Sequence, residues 1–181
     1  MIKGLGWITQ NKYGCQKRQL EENYSDLKSL SSRLQPKIFN YPVANFLRFD
    51  TVSKLTAVSI ALALYDAKIA YAKEKKQKIS IIGTNSNGAL EANLIYFNDY
   101  VSNGRTLARG NLFIYTLPSS PLAEAAIHFG LTGKLLYLGF AKNTEEESLK
   151  YALNMLKTEI HKNIILVNAG SKASTCYILQ K

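Results

Sequence analysis

KISIIGTNSNGALEANLIYFNDYV, residues 78 to 101, sets a short apolar run, a loop bounded by Gly83 and Gly88, and a helix-like segment end to end. Strand, glycine loop and helix in that order are the parts of a βα unit in a parallel sheet. The spacing from Gly83 to Gly88 imitates the start of a phosphate-binding Walker A loop. Ala89 and Leu90 stand where that loop requires lysine and a hydroxyl, and the run does not fit GxGxxG either, so a phosphate role is not expected.

Working outward, NIILVNAGS (163 to 171) is a nearly continuous apolar run, the type buried on both faces of a sheet. KLLYLGFA and the closing SKASTCYILQK read as further strands, and IKGLGWIT as a first strand whose Gly4 and Gly6 invite close packing. Asp50 or Thr51 is a plausible cap for a helix through VSKLTAVSIALALYDAKIAYAKEKK. Leu55, Val58, Ser59, Leu62, Tyr65 and Ile69 recur on one side of it, and Ala57, Ala61, Ala63 and Ala67 keep it slim enough to lie flat on a sheet. Lys73, Lys75, Lys76 and Lys78 would then complement the dipole at its C-terminal end. Asn143 or Thr144 opens another helix, with Glu145, Glu146 and Glu147 in its first turn and Leu149, Leu153, Leu156 and Ile160 as its core stripe. Tyr13 to Asn40 is polar and basic and reads as a surface excursion.

FIYTLPSSPLAEAAIHFGLTG (113 to 133) joins a buried-looking run, a Pro-Ser-Ser-Pro turn and a helix with Ala123, Ala125 and Ala126 where large residues would fit. Small residues there mean close approach, by tight packing or by a ligand. The sequence thus reads as one α/β domain over residues 1 to 181, with about five or six strands in its sheet.

With 181 residues the chain is long enough for a hydrophobic core without metals or disulfides. Its 23 Lys+Arg against 13 Asp+Glu give a formal charge of +10, which favours acidic partners in general. Cys15 and Cys176 stand far apart in no metal or redox grouping, and each reads as a small packed hydrophobe. VSIALALY is too short to span a bilayer, MIKGLGWITQNKYG has no signal-peptide core, and a reducing cytoplasm is the default expectation. Ser119 and Ser120 lack the GxSxG context of a serine hydrolase. His128 reads as a packed or surface residue and His161 as a cation at a helix end.

Several of these segments, in order, resemble the N-terminal half of a β-ketoacyl synthase, the condensing enzyme of fatty-acid and polyketide synthesis, which has a thiolase-like fold. IKGLGWIT is similar to that family's first strand, and FLRFDTVSKLTAVSIALAL to its "RMDR(F/Y)xxLAxxAAxxAL" helix. IIGTNSNG is similar to its "VVGTGxGS" strand and loop, and AGSKASTCYILQK to its "GEGAAxLVLE" strand. LFIYTLPSSPLAEAAIHFGLTG resembles its phenylalanine-rich run, "(M/L)PN", small-residue helix and "(Y/F)GLxGP" loop.

The resemblance implies a three-layer α-β-α, half-thiolase-like fold with a mixed sheet. It also implies where chemistry should be. The family's nucleophilic cysteine follows the GLxGP loop in a "TACSS"-like turn. Here Lys134 replaces the proline, and no cysteine or serine stands near the expected position, about Phe140 to Lys142. The family's two histidines lie in its C-terminal half, which these motifs do not reach, so neither His128 nor His161 inherits their role. No catalytic residue, cofactor or metal is therefore implied. The expectation is a non-catalytic ketosynthase-like accessory subunit, in the manner of chain-length factors, of fatty-acid or polyketide-type biosynthesis.

Its implied partners are a second copy or a complete ketosynthase, and an acidic acyl carrier protein. Ile164, Ile165, Leu166 and Val167 are the implied dimer interface. Arg105, Arg109 and Lys134 are the implied carrier-docking residues. Two other readings stand beside this one: an acyltransferase completed by a partner or by Cys176, and a basic nucleic-acid-binding module. The latter is not expected, because no nucleic-acid-binding motif is present.

Overall fold

The structure, a computed structural model, describes residues 1–104, 109–140, 144–158 and 162–181. Seven strands among these residues form one sheet: β1 (Ile2–Ile8), β2 (Lys12–Cys15), β3 (Leu20–Asn23), β4 (Ser80–Thr84), β5 (Leu135–Leu138), β6 (Asn163–Ala169) and β7 (Ser174–Gln180). Their order is β3-β2-β1-β7-β6-β4-β5. β4 runs parallel to both β5 and β6, while β7 is antiparallel to both β1 and β6. The sheet is mixed, as expected, and larger than the five or six strands expected.

Alternation along the central strands sorts side chains into two layers. Ile165 and Val167 of β6, Cys176 and Ile178 of β7, and Ile81 of β4 enter the larger core. Their neighbours Ile164, Leu166, Leu179 and Ile82 enter a smaller one beneath α6 (Thr144–Thr158), closed by Ala152 and Leu156. Period-two alternation with both faces apolar is why these runs read as continuously hydrophobic.

The larger core is built around α2 (Thr51–Asp66). Asp50 caps it by accepting from the Ser53 amide at 2.8 Å. Every residue from 53 to 64 is buried, so this helix is enclosed on all sides and carries no polar face. Gly4 and Gly6 let β1 approach it: a Cβ on Gly6 would lie 2.4 Å from the Ala63 nitrogen. The close packing expected of that glycine pair is thus against α2. α5 (Ser120–Phe129) packs beside α2 through Ala125 and Phe129, which answers the small-residue question in favour of helix packing.

Three expectations fail. Helix α2 stops at Asp66, with Lys68 in the left-handed region (φ 56°), so Lys73 to Lys78 lie beyond it and cannot serve its dipole. Tyr13 to Asn40 is no mere excursion. β2 and β3 form a hairpin there, α1 (Leu27–Arg33) follows, and Leu30, Leu34, Ile38 and Phe39 are buried. Polar residues on the outer faces hid a short-period apolar pattern. The FIY run is not buried either: Phe113 and Ile114, in α4 (Gly110–Ile114), are at least half exposed. Ile160 and Asn143 lie outside the described residues.

Asp66 ties the hairpin to the helix. Its carboxylate, 3% exposed, accepts from the Leu5 amide at 2.9 Å and the Arg18 amide at 3.0 Å. Asp66→Ala leaves both donors without a partner and is expected to lower stability by about 2 to 4 kcal/mol in urea unfolding. A loss below about 0.5 kcal/mol would show that other groups or solvent satisfy those amides.

Candidate functional site

The parallel strands β4 and β6 end side by side, at Thr84 and Ala169, and a crevice of about 210 Å³ opens beyond them. Carboxyl ends of parallel strands are where open α/β sheets present ligand crevices. The loop 85–89 forms one wall, Val52, Tyr115, Leu117 and Pro118 form the apolar remainder, and Asp50 and Glu91 bring carboxylates.

Asn85 organises the loop. Its side-chain oxygen accepts from the Asn87 amide at 2.8 Å and from the Gly88 amide. Its side-chain nitrogen donates to Ala169 O at 2.9 Å and Gly88 O at 3.1 Å, fastening β4 to β6. Two amides that a phosphate cradle would need are consumed within the loop. The Gly83-to-Gly88 spacing is therefore a side-chain-closed turn, with Gly88 at φ 59° supplying the left-handed bend.

Deeper in, a second cavity of about 10 Å³ shares Val52, Asn85, Pro118 and Pro121 with the crevice. Thr56, Thr84 and Tyr137 line it, and the hydroxyl oxygen of each is buried without a hydrogen-bond partner among the described residues. Burial raises the Tyr137 phenol above its usual range, and the nearby Asn85 backbone amide opposes that shift. Burial is also the main cause that raises the Asp50 carboxyl. The Glu91 charge adds to that effect, while Ser53 and Lys54 oppose it.

The sequence reading missed Asp50 as anything but a cap, and missed Thr56, Thr84 and Tyr137 altogether. Threonine and tyrosine in strands and helices are ordinary residues, and no spacing marks three of them, on α2, β4 and β5, as neighbours. Thr56, one of several polar residues in the mostly apolar α2, was the available signal.

The two cysteines stand on either side of Gly6, Cys15 in β2 and Cys176 in β7, each in register with it across one ladder. Two strand spacings, roughly 9.5 Å, separate them, too far for a disulfide. Cys176 is wholly buried, which raises its thiol well above the usual range. Burial, then the Asp66 charge, pushes Cys15 up to about 11. Neither sulfur lines the crevice. Phe140 follows β5, and residues 141 to 143, where the nucleophile turn was sought, lie outside the described residues.

His128 is buried in α5 among aromatic rings, with centroids 4.5 Å from Tyr41 and 4.7 Å from Phe129, and burial lowers its pKa to about 4. Tyr41 donates to its backbone carbonyl. It is a packed residue, as read. His161 lies outside the described residues, and no group of three or more metal-binding side chains occurs among the described ones.

The implied docking residues do not gather into a described site. Arg109 pairs with Asp99, and the Lys134 backbone amide donates to Ser80 Oγ at 3.2 Å. Arg105 lies outside the described residues. The implied interface is corrected outright. Ile164, Ile165, Leu166 and Val167 sit in β6 with β4 on one edge and β7 on the other, all buried within the chain, so no edge of β6 is open to a second sheet. The apolar surface lies elsewhere. Along α3 (Leu90–Asn103), Leu90, Leu94, Phe97 and Val101 follow the four-three-four spacing of one helix face, and each is more than half exposed. Asp99 is the buried residue of that helix.

No family model and no curated protein matches the sequence. Solved structures do match. A ketosynthase in complex with its chain length factor, from Xenorhabdus doucetiae, superposes with a TM-score of 0.68 at 13% identity, over 100% of this chain and 78% of that one. The ishigamide ketosynthase/chain length factor gives 0.70 at 11%, over 99% of this chain and 61% of that one. A β-ketoacyl synthase from Burkholderia phymatum gives 0.67 at 13%, over 99% of this chain and 58% of that one. The chain thus spans less than two thirds of the last two. No helix among the described residues is long and apolar enough to cross a membrane. The mixed sheet with helices on its two faces is thus a fold shared with these ketosynthase structures.

Proposed function

We propose that this chain is an accessory, ketosynthase-like subunit of fatty-acid or polyketide-type biosynthesis that works by associating with a second copy of itself or with a complete ketosynthase, and not by condensing chemistry of its own. The observation that carries this reading is the α3 stripe. An amphipathic helix normally turns such a stripe inward, and an exposed row of this length marks an interaction surface. Chain length factors are the partners in two of the similar structures. The absence of a cysteine or serine where the family's nucleophile stands, and the burial of both cysteines, support an auxiliary role.

Size-exclusion chromatography with light scattering tests it, on the chain alone and mixed with a ketosynthase encoded in the same gene neighbourhood. The expected result is a dimer in one of the two samples, reduced to monomer by Phe97→Glu with Val101→Glu at unchanged melting temperature. A monomer in both samples would overturn the proposal. The competing acyltransferase reading predicts covalent labelling by an acyl chloromethyl ketone. No alkylated cysteine is expected in the folded chain, because a thiolate at Cys176 would have to form and displace chloride inside the core.

Acyl carrier binding is part of the same proposal, through Arg105, Arg109 and Lys134. Lys134→Glu is the cleaner probe, since Arg109→Glu also removes the ion-pair partner of the buried Asp99. Carrier affinity is expected to fall severalfold with Lys134→Glu and to weaken further with added salt. Unchanged affinity would exclude docking there.

A further inference from the structure

The crevice beyond β4 and β6 is sorted by chemistry along its depth. Asp50 and Glu91 bring its carboxylates, and among the described residues no lysine or arginine lines it or the inner cavity, in a chain of formal charge +10. Lys54, the nearest cation to Asp50, instead turns its ammonium to the Phe49 carbonyl. A smaller hollow of about 70 Å³ continues from the same two carboxylates between Ile95, Leu112 and Tyr115. The middle of the crevice is apolar, with Val52, Leu117 and Pro118. At the inner end, Thr56 and Thr84 are 0% and 2% exposed, and their hydroxyls, with that of Tyr137, have no partner among the described residues.

Each zone selects against something. Two carboxylates repel anions, and Lys54, the cation felt by Asp50, is committed to the Phe49 carbonyl, so a carboxylate or a phosphate is disfavoured here. The apolar middle favours a hydrocarbon segment. Buried hydroxyls left unpaired are costly, and a cavity of about 10 Å³ holds no more than one water or one hydroxyl group. Repulsion between the two carboxylates is relieved when a cation lies between them. The same features would be without purpose in a purely structural gap, where an apolar lining would satisfy packing.

We propose that this crevice binds a small amino alcohol or a closely related amine, its ammonium group held by Asp50 and Glu91, its apolar body against Val52, Leu117 and Pro118, and its hydroxyl reaching Thr56, Thr84 and Tyr137. The site lies wholly within one chain and does not depend on the accessory-subunit reading. Occupancy is linked to the α3 stripe in position only: Glu91 opens α3, and Leu90 and Leu94 line both features.

The test uses the isolated chain and amide chemical-shift titration with aminohexanol, hexylamine, hexanol and hexanoate. Aminohexanol is expected to shift the amides of residues 85 to 92 and 170 to 171, which line the crevice or its mouth, and to bind more tightly than hexylamine or hexanol. Hexanoate should leave them in place. Asp50→Ser keeps a helix-capping oxygen while removing the charge. Combined with Glu91→Gln, it is expected to weaken aminohexanol roughly tenfold while leaving hexanol unaffected. Thr84→Val removes an unpaired hydroxyl at constant shape, so the fold is kept. It should bring aminohexanol down to the affinity of hexylamine. Hexanoate binding as well as aminohexanol, or aminohexanol binding that ignores both sets of substitutions, would overturn the assignment. Shifts spread over the α3 stripe instead of the crevice would overturn it too, by showing adsorption to exposed apolar surface.

Discussion

Gly6→Ala is expected to destabilise the protein by about 3 kcal/mol or more, at the upper end of what overpacking a core produces. A Cβ there would lie 2.4 Å from the Ala63 nitrogen, 2.5 Å from the Ser59 carbonyl oxygen and 2.7 Å from the Leu62 Cβ. The first two are backbone atoms of α2, so no rotamer change relieves the contact. Either β1 leaves the sheet or α2 lifts away from β1 and β7, and both open the larger core. For a chain of this length the expected fall in melting temperature is roughly 10 °C. Two controls make the result specific. Gly110→Ala, where an added Cβ meets nothing within 4 Å, should stay within about 0.5 kcal/mol of the parent. Ala63→Gly should fail to rescue Gly6→Ala, because the obstructing atoms are backbone and remain. A rescued double variant would mean that β1 and α2 are not in this contact.

Acid should weaken the fold through His128 before the two lowered carboxylates, Asp26 and Asp99, protonate. Burial among Tyr41, Phe39, Tyr71 and Phe129 lowers its pKa from 6.5 to about 4, so the folded state favours the neutral ring. The unfolded chain binds this proton from about pH 6.5 downward and the folded chain only near 4. The stabilisation is therefore fully present above about pH 6.5 and is lost as the pH falls towards 4. The full difference corresponds to about 3 kcal/mol. Urea unfolding at pH 7.5 and at pH 4.5 should show most of that loss. His128→Phe, which keeps an aromatic ring in the same pocket, should flatten the dependence over this range. An undiminished acid loss in that variant would assign the effect to other groups. Asp26 and Asp99, both held below the usual carboxylate range by hydrogen bonds, lose their contribution only at still lower pH.

The βα reading of residues 78 to 101 was correct because a strand, a glycine loop and a helix are written in consecutive residues. The same holds for the capping of α2 by Asp50 and for the glycines of β1, whose need for a close neighbour shows in the sequence although the neighbour does not. The end of α2 was misread because alanines and lysines continue as good helix formers past Asp66. The chain turns there to give its carboxylate to Leu5 and Arg18, a contact between residues 61 and 48 positions apart. The excursion from Tyr13 to Asn40 was misread for a related reason. A two-strand hairpin at a sheet edge needs only one apolar face, and α1 buries only Leu30 and Ser31 of its seven residues. β6 was read as a strand buried on both faces, and its role as an interface came from the resemblance alone, because a central strand and an edge strand look alike in one dimension. Only the pairing with β4 and β7 separates them.

What the sequence by itself determined, then, is what lies within a stretch of neighbouring residues: the alternation of strands and helices, their caps and the glycines that admit close packing. Motif order carried it further, to the ketosynthase fold. What only the tertiary structure decided is what depends on residues distant in the chain meeting. It placed the unpaired hydroxyls of Thr56, Thr84 and Tyr137 around one cavity and the carboxylates of Asp50 and Glu91 in one crevice. It also left the apolar stripe of α3 facing outward. The physical reason is that burial and electrostatic environment are properties of the packed arrangement. A threonine has the same letter whether its hydroxyl meets water, a backbone carbonyl or an enclosed space.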